Sequence, residues 1–374
     1  MGITFADGNF WREQRQFTVK QLRNVGFGKT KMEKEIQREL SSILKYLEKF
    51  NGEPIKPQPI LVTSVMNILW TYIAGERIGE EKVNFLLGLL KARSKAFNIT
   101  GGFLNQLPWC RFILPEWSGY AIIKRLNEQL SQIIEENIER HKKKLVEGTD
   151  FMYSFLEEVE AKKEGYTEEQ LKIICLDIII AGFQTTSNVI EFGILTALRN
   201  KNIQQKLYDE INQVLQGETP SWSDNSRLVY TTAFLQEIHR YYTVVPLAGP
   251  RRALEDTTIG GYFIPKDTTV LIAVGDLYSD PQLWDEPNEF KPERFIDESG
   301  ALKDVENVYP FGLGRRKCPG DALAKSFIFI VFVGILQKFQ IDCIEDVLPS
   351  GEPVIGLISG PKPYTAVFTP RDVK

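Results

Sequence analysis

The sequence predicts a mainly α-helical fold with a minor β component. Two charged stretches, residues 32–47 and 120–146, repeat apolar residues at helical spacing. A third stretch, residues 167–198, is apolar on nearly all sides through its middle, which is typical of a helix buried at the centre of a protein. Strand-like segments occur only after Pro246 and are short, being residues 257–259, 262–264, 268–273, 354–357 and 365–368.

Local signals at helix ends support this assignment. Thr167 followed by Gln170 predicts a capped helix start, and the only charged residue in the apolar middle of that helix is Asp177. Another helix is expected over residues 232–241. A further one should follow Cys318, with Pro319 in its first turn, where proline is well tolerated.

The composition is that of a globular protein with a large core, since 43% of its 374 residues are hydrophobic and 25% are charged. A net charge of −4 without a block of basic residues gives no indication of a nucleic-acid partner. Four cysteines and two histidines occur without a Cys-x-x-Cys pair, so neither a zinc site nor a disulfide framework is expected. The longest uninterrupted apolar run, residues 327–336, is too short to span a bilayer.

The segment of residues 311–320 is the most informative part of the sequence. It places Cys318 directly after three basic residues, 315–317, whose charge favours a thiolate, the form of cysteine that binds metals. Gly312 and Gly314 permit tight turns that aim backbone N–H groups at one point. The dipole of the helix expected next would also stabilise the anion.

A structural cysteine in a surface turn is the alternative interpretation. A purely structural role, without metal binding, suits Cys110, Cys175 and Cys343. Cys175 in particular lies in an apolar run that is typical of a protein core. A structural role does not explain why glycines and basic residues occur together around Cys318.

Residues 311–320 match the haem-binding signature F-x-x-G-x-R-x-C-x-G at every fixed position, so the sequence resembles the cytochrome P-450 family. The resemblance implies that Cys318 is the axial thiolate ligand of the iron in haem b, which is iron protoporphyrin IX. It also implies that Arg316 pairs with a haem propionate and that Phe311 packs beside the sulfur. The implied fold is the cytochrome P-450 fold, as a single domain over residues 1–374 that lacks the N-terminal anchor, first helices and first strands.

Two further motifs resemble the buried ionic network of the family. Glu237 and Arg240 form an E-x-x-R pair on one face of a predicted helix, and Arg294 lies in a later P-E-R-F segment. By resemblance, the three side chains form a network behind the haem that holds the cysteine loop in register. Taken alone, an E-x-x-R pair is usually a solvated helix pair, so the inference depends on the order and spacing of the motifs relative to Cys318.

Residues 181–186, A-G-F-Q-T-T, resemble the oxygen-binding segment of the family. Ala181 and Gly182 have minimal side chains, so a flat porphyrin can approach the helix, and Thr185 offers a hydroxyl for proton delivery. Gln184 departs from the family pattern, in which an acid is usual, because an amide orients water but does not donate and regain a proton at neutral pH. The alternative, an ordinary threonine inside a helix, does not explain the whole run.

Three more residues resemble those that reach the haem propionates in the family. Trp11 and Arg15 match the W-x-x-x-R pattern of the third helix of the family. Residues 246–251 resemble the segment that supplies another basic residue, for which Arg251 is the candidate and Arg252 the alternative. The planar guanidinium group suits the recognition of a carboxylate.

The resemblance implies a haem-dependent monooxygenase that inserts one atom of dioxygen into a small apolar organic substrate, with electrons from an NADPH-dependent reductase. Within the family, the sequence is most similar to the microsomal branch and its insect members. That similarity implies attachment to the endoplasmic reticulum membrane, on its cytosolic face, for the full-length parent. The expected lining of the substrate pocket comprises residues 97–117, 178–186, 244–248 and 356–359.

Two alternatives from other classes stay open on the sequence. The chain begins where the third helix of the family begins, so one alternative is a truncated product that binds haem without catalysis or is misfolded. The other is a haem-thiolate isomerase or dehydratase that needs no external oxygen, although residues 181–185 argue against it.

Overall fold

The computed structural model describes residues 2–79, 81–86, 88–89, 104, 107–143, 149–344 and 347–371. Within these ranges the chain is mainly helical with small sheets, which confirms the predicted fold class. The helices are α1 (Gly8–Asn24), α2 (Thr30–Glu48), α3 (Gln58–Ala74), α4 (Cys110–Ile113), α5 (Tyr120–Lys142), α6 (Phe151–Glu160), α7 (Glu168–Arg199), α8 (Lys201–Leu215), α9 (Val229–Tyr242), α10 (Val274–Ser279) and α11 (Asp321–Lys338). The strands are β1 (Leu247–Arg252), β2 (Thr257–Ile259), β3 (Tyr262–Ile264), β4 (Thr269–Ala273), β5 (Phe339–Asp342), β6 (Pro353–Val354), β7 (Gly360–Pro361) and β8 (Val367–Pro370).

The centre of the fold is α7, whose last third, residues 189–198, is buried on every side. Thr167 caps its start by accepting a hydrogen bond from the backbone N–H of Gln170 at 3.1 Å, as the sequence predicts. Helices α3, α5 and α11 all pack against it. Its length and apolar composition would also suit a membrane span, but half of the apolar stretch is buried inside the protein, as in a core helix.

The predicted helices are present, with shifted ends. The helix expected over residues 120–146 is described as far as Lys142, and residues 144–146 lie outside the described residues. Helix α11 is buried along almost its whole length and packs against α2 and α7. It begins at Asp321 with Gly320 as its N-cap, so the expectation that Pro319 lies in its first turn is wrong, because the chain is still turning out of the cysteine loop there.

The sheets described here are antiparallel pairs of strands. Strands β2 and β3 occupy the predicted residues, and β4 begins one residue late. The strand expected at residues 365–368 is found at Val367–Pro370, where it pairs with β5. The ends of β8 are set by its pairing with β5. They could not be predicted, because β5 is not evident from the local sequence pattern.

A second, smaller core lies behind the cysteine loop. It contains Ala233 of α9, Tyr278 of α10, Val308, and Phe295 of the 3-10 turn Pro292–Phe295, all of them buried. These residues come from four separate parts of the chain. The small core therefore joins α9 to the residues that precede the cysteine loop.

The junction between α5 and α6 holds a buried charged pair. His141 Nε2 lies 3.0 Å from Asp150 Oδ2, and His141 Nδ1 lies 2.7 Å from the carbonyl oxygen of Asn137. Since a carbonyl only accepts, Nδ1 carries a proton, and the carboxylate favours a second proton on Nε2. Burial by itself lowers the pKa of His141. The hydrogen bonds to Asp150 and Asn137 and the charge of Asp150 together raise that pKa above its ordinary value, against a small opposing effect of Arg140.

We expect this pair to make the stability of the protein depend on pH. A histidine whose pKa is raised on folding contributes stability that is complete below its unfolded pKa, near 6.5, and lost as the pH rises through the folded pKa. The free energy of unfolding of the protein, minus that of His141→Gln, should therefore shrink as the pH rises above about 6.5 in urea titrations.

The control for this prediction is His239→Gln, which should show the opposite sign. Burial, with the charge of Lys325, lowers the pKa of His239 to about 4, so the neutral form is favoured in the folded protein. Its contribution is lost as the pH falls below 6.5, and the difference should grow as the pH rises toward that value. A difference for His141→Gln that stays constant with pH would contradict the ion pair.

Candidate active site

The cysteine loop, residues 311–320, is closed by its own backbone. The N–H of Cys318 donates to the carbonyl oxygen of Phe311 at 2.8 Å. Gly312 and Gly314 have φ angles of 70° and 69°, in the left-handed region that glycine adopts without strain. The two glycines therefore provide the turns expected of them, and the loop leads the chain to the start of α11.

The environment of the sulfur differs from the expectation. Cys318 is exposed as a residue, but enough protein surrounds its sulfur that burial raises the pKa of the thiol. The N–H of Gly320 and the charges of Arg15 and Lys317 lower this pKa, without overcoming burial. Lys317 is also largely neutralised by an ion pair with Asp321 at 2.6 Å. The charges and the N–H group therefore act in the expected direction, but by themselves they do not bring the pKa of the thiol below its ordinary value. Coordination to a metal deprotonates a thiol.

Behind the loop, the carboxylate of Glu237 binds two guanidinium groups. Its oxygens lie 2.7 Å from Nε and 2.8 Å from Nη2 of Arg240, and 3.2 Å from Nε of Arg294. The side chains of Glu237 and Arg240 are 0% and 1% exposed. The backbone N–H of Lys291 donates to the same carboxylate at 2.9 Å. The structure thus brings together the three residues that the resemblance assigns to one network.

The remaining donors of the two arginines bind main-chain oxygens. Arg240 donates to the carbonyl of Tyr278 at 2.8 Å and to that of Pro287 at 2.9 Å. Both Arg240 and Arg294 donate to the carbonyl of Glu289, at 3.2 Å and 3.1 Å. Buried charges are tolerated only when their hydrogen bonds are satisfied in this way. The network therefore ties α9 to the chain that follows α10.

Two side chains that no motif indicates connect this network to the cysteine loop. The hydroxyl of Tyr278 accepts from the backbone N–H of Tyr309, two residues before the loop, while Arg240 binds the carbonyl of the same tyrosine. Gln236 on α9 donates to the carbonyl of Val305 at 2.5 Å. Burial raises the pKa of Tyr278 to about 12, so its phenol is neutral. Helix α9 therefore positions both the network and the approach to the loop.

Three guanidinium groups converge beside the cysteine loop, from Arg15 on α1, Arg251 on β1 and Arg316 in the loop. Burial lowers the pKa of Arg15 and of Arg316, and the positive charge of Arg251 lowers both further. The guanidinium carbon of Arg316 lies 3.7 Å from the centre of the Trp11 ring. The buried indole N–H of Trp11 has no hydrogen-bond partner among the described residues. We call these four side chains the arginine cluster.

Arg252 does not share this position with its neighbour Arg251. It is exposed and forms ion pairs with Asp7 and with Asp267. The charge of Arg251, by contrast, acts on the buried members of the arginine cluster. Of the two residues that the sequence left open, Arg251 is the one placed toward the cluster.

The opposite wall of the site is the face of α7 around residues 181–185. Ala181 is exposed although it lies in the middle of a core helix, so this face borders open space. The hydroxyl of Thr185 donates to the carbonyl of Ala181 at 2.9 Å, and Gln184 is half-buried beside it. Thr185 and Phe311 line one cavity of about 50 Å³, which links this helix to the cysteine loop. A wider groove of about 470 Å³ along α5 is lined by charged side chains and reaches none of these residues.

Gly182 faces α3 rather than the open space. A Cβ atom at this position would lie 2.7 Å from Cδ1 of Leu69, closer than such atoms approach in proteins. The missing side chain is therefore required for the packing of α7 on α3. Of the two small residues, Ala181 is the exposed one, and Gly182 has a packing role against α3 that the sequence did not predict.

Asp177, the charged residue in the apolar stretch of α7, holds the segment before α1. Its carboxylate accepts from the backbone N–H groups of Ile3 at 2.7 Å and Thr4 at 2.9 Å. Arg316 binds the other side of this segment through the carbonyls of Ala6 at 2.6 Å and Ile3 at 3.4 Å. The segment therefore bridges α7 and the cysteine loop, which the sequence did not predict.

Part of the expected pocket lining lies elsewhere or outside the described residues. Residues 97–103, 105 and 106 are not among those described. In the part that is described, Trp109, Phe112 and Trp117 are exposed at the surface. Val244, from the third expected segment, lines the cavity shared by Thr185 and Phe311.

Comparison with known proteins decides the family. A family profile described as cytochrome P-450 matches residues 1–368. A probable cytochrome P-450 305a1 of Drosophila melanogaster is 39% identical over 99% of this chain and 77% of its own length. The chain belongs to the cytochrome P-450 family.

Other cytochrome P-450 relatives agree with this placement. Farnesoate epoxidase of Bombyx mori is 34% identical over 99% of this chain and 76% of its own length. Cytochrome P-450 2U1 of Bos taurus is 32% identical over 99% of this chain and 70% of its own length. The predicted resemblance, including the similarity to insect members, is therefore confirmed.

The site fits the haem of a cytochrome P-450. Its arginine cluster, three converging guanidinium groups and an unpartnered indole N–H, is a donor set suited to the two carboxylates of the propionates. Among the described residues, no group of three or more His, Cys, Asp or Glu side chains is arranged to hold a metal ion. The single sulfur of Cys318 accordingly suits an iron that brings its own nitrogen ligands.

We expect Glu237→Ala to destabilise the protein by about 3–5 kcal/mol, because the buried guanidinium group of Arg240 and the partly buried one of Arg294 lose their counter-charge. Folded protein and haem should be lost together in this variant. Glu293→Ala is the matched control, since Glu293 lies in the nearby P-E-R-F segment but forms an exposed ion pair with Lys206, worth at most about 1 kcal/mol. Urea unfolding and haem absorbance measure both effects. Normal stability and haem content in Glu237→Ala would contradict the network.

We expect Gly182→Ala to cost about 1–3 kcal/mol by overpacking against Leu69. Leu69→Val removes the Cδ atoms that the new methyl group would meet, so the double variant should recover part of this loss. The free energy of unfolding of the two single variants and the double variant gives the coupling between the two positions. Additive effects would mean that Gly182 is not a packing residue.

Proposed function

We propose that the chain is a haem-dependent monooxygenase acting on a small apolar organic substrate, with dioxygen as co-substrate and electrons from an NADPH-dependent reductase. Its membership of the cytochrome P-450 family supports haem monooxygenase chemistry in general. The observation that carries the proposal is the position of the cysteine loop. The arginine cluster lies beside this loop, and Phe311 at its start shares a cavity with Thr185 of α7.

In this proposal, each part of the site has one task toward the haem. Cys318 holds the iron through its sulfur, and Phe311 packs beside it. The arginine cluster, which comprises Trp11, Arg15, Arg251 and Arg316, binds the propionates. When bound, the haem supplies the activation of dioxygen. Glu237, Arg240 and Arg294 act at a distance by keeping the cysteine loop in place.

Thr185 is the group that we assign to proton delivery. Its hydroxyl lies on the cavity and is held by the carbonyl of Ala181, which orients the oxygen lone pairs away from the helix. Proton transfer needs a hydroxyl or an ordered water within hydrogen-bond reach. Gln184 can orient such a water but cannot replace the acid usual in the family. More of the task therefore falls to Thr185.

The substrate is proposed to be apolar because apolar side chains line the cavity beside Thr185. Val189, Val244 and Ile328 are among them. An apolar wall discriminates weakly between molecules of similar size, so it defines a class rather than one compound. Farnesoate, named for the Bombyx mori relative, is a suitable first test substrate. By the same family resemblance, we propose that the protein is located at the endoplasmic reticulum membrane, on its cytosolic face.

Replacing Cys318 with His tests the iron ligand. We expect Cys318→His to lose the thiolate-type absorption of the reduced carbon-monoxide complex, because an imidazole does not donate charge as a thiolate does. Cys343→Ser is the control, since Cys343 is only partly buried and lies outside the cysteine loop. Persistence of the thiolate-type spectrum in Cys318→His would show that another residue is the ligand.

Replacing Thr185 with Ala tests proton delivery. Thr185→Ala should keep haem and substrate binding but divert reducing equivalents to hydrogen peroxide, whereas Thr185→Ser keeps the hydroxyl and should restore coupling. Gln184→Glu restores the commoner family residue and should stay better coupled than Thr185→Ala. The measurement is product formed per NADPH consumed, with peroxide assayed in parallel. Unchanged coupling in Thr185→Ala would mean that protons take another route.

A further inference from the structure

Asn188 lies three residues after Thr185 on α7 and is buried, with 1% of its surface exposed. Its Nδ2 donates to the carbonyl oxygen of Ser359 at 2.8 Å. Its Oδ1 is also buried and has no hydrogen-bond partner among the described residues. A leucine would fill the same space without a buried polar atom, so the amide is not explained by packing alone.

The turn that receives this hydrogen bond lies directly against the helix. A Cβ atom at Gly360 would lie 2.7 Å from Nδ2 of Asn188, so only glycine allows the turn to approach this closely. Ser359 is itself buried, at 3% exposure. The contact between Asn188 and the turn is therefore close and specific, not a surface contact.

The hydrogen bond continues from this turn to the wall of the cavity. The backbone N–H of Ser359 donates to the carbonyl oxygen of Val244 at 2.7 Å. Val244 lines the same cavity as Thr185. A chain of hydrogen bonds thus joins Asn188 on α7 to Ser359, and Ser359 to Val244, which lines the cavity together with Thr185.

The two segments differ in what else holds them. Val244 follows α9, whose last residue, Tyr242, is hydrogen-bonded to Thr196 of α7, whereas Ser359 precedes β7, a strand of two residues that pairs only with β6 among the described strands. The hydrogen bonds from Asn188 to Ser359 and from Ser359 to Val244 join the C-terminal turn to both α7 and the segment after α9.

We propose that Asn188 is a positioning residue that sets the distance between Thr185 and the facing wall of the substrate cavity. It thereby selects which part of an apolar substrate lies next to Thr185. This inference rests on the proposed monooxygenase function. Asn188 acts through Ser359 and Val244, and it is not proposed to touch the substrate.

The test compares Asn188→Ala with Tyr364→Phe. Tyr364 donates from its hydroxyl to the carbonyl of Glu191 at 2.9 Å, so it ties the same C-terminal segment to the same helix without a connection to Val244. Amide hydrogen exchange at Ser359 reports the contact itself and does not need haem. Binding of imidazole and of 4-phenylimidazole, followed by haem absorbance, reports the space beside Thr185, because only the second ligand needs that space.

For Asn188→Ala we expect exchange at Ser359 to rise roughly tenfold, as for the loss of about one hydrogen bond. Haem content and imidazole affinity should be unchanged, while the affinity for 4-phenylimidazole changes several-fold and the ratio of products from farnesoate shifts. Tyr364→Phe should leave the ligand ratio as it is. Gly360→Ala, whose Cβ atom would press the same turn away from the Asn188 amide, should reproduce the change in ligand ratio and covers the case in which Asn188→Ala does not fold.

Two results would overturn the proposal. Unchanged exchange at Ser359 in Asn188→Ala would show that the contact does not position the turn. Increased exchange with an unchanged ligand ratio in both Asn188→Ala and Gly360→Ala would show that the turn does not shape the cavity. A failure of the proposed function is recognised separately, because the unaltered protein would then give no haem spectrum with either ligand. In that case the assignment of a substrate wall would also be wrong.

Discussion

The buried carboxylate of Glu237 is the interaction on which the rest of the site depends. It is fully enclosed and is the counter-charge for two guanidinium groups, in a place where an unpaired charge is strongly destabilising. Through Arg240 it fixes the backbone at Tyr278, and the hydroxyl of Tyr278 fixes the backbone at Tyr309, just before the cysteine loop. The chain is therefore positioned from α9 where it enters the cysteine loop, and the loop is closed by its own backbone hydrogen bond between Cys318 and Phe311.

The two groups of charges in the site differ in whether the protein itself supplies their counter-charges. The network at Glu237 satisfies its charges within the protein, whereas the arginine cluster does not. The nearby carboxylates are already engaged, Asp7 by Arg252 and Asp321 by Lys317. Like charges held together in a partly buried place destabilise a fold until an anion joins them. Binding of a dianionic group would relieve that repulsion, so the stability of this face and occupancy by its ligand are thermodynamically linked.

The sequence predicts those residues whose chemistry identifies them and misses those that act on the backbone. Cys318 and Glu237 were assigned because each lies in a motif that resembles the cytochrome P-450 family and the motifs occur in the family order. Tyr278 and Asn188 could not be predicted, because each binds a main-chain atom of a residue that is distant in sequence. Main-chain atoms are the same in every residue, so the sequence does not mark the partner. Gly182 was found for an incomplete reason, because the approach of α3 is a tertiary fact that no local pattern contains.

The recognition of main-chain oxygens by Arg240 and Arg294 has a consequence for how this protein can change over evolutionary time. Carbonyl groups are common to all amino acids, so the identity of the side chains at 285, 287 and 289 is not what the two arginines read. Mutational drift in that stretch leaves the buried charges satisfied as long as the path of the backbone is kept. The side chains of residues 285, 287 and 289 can therefore be replaced without disturbing these hydrogen bonds, whereas the arginines that bind the main chain there cannot.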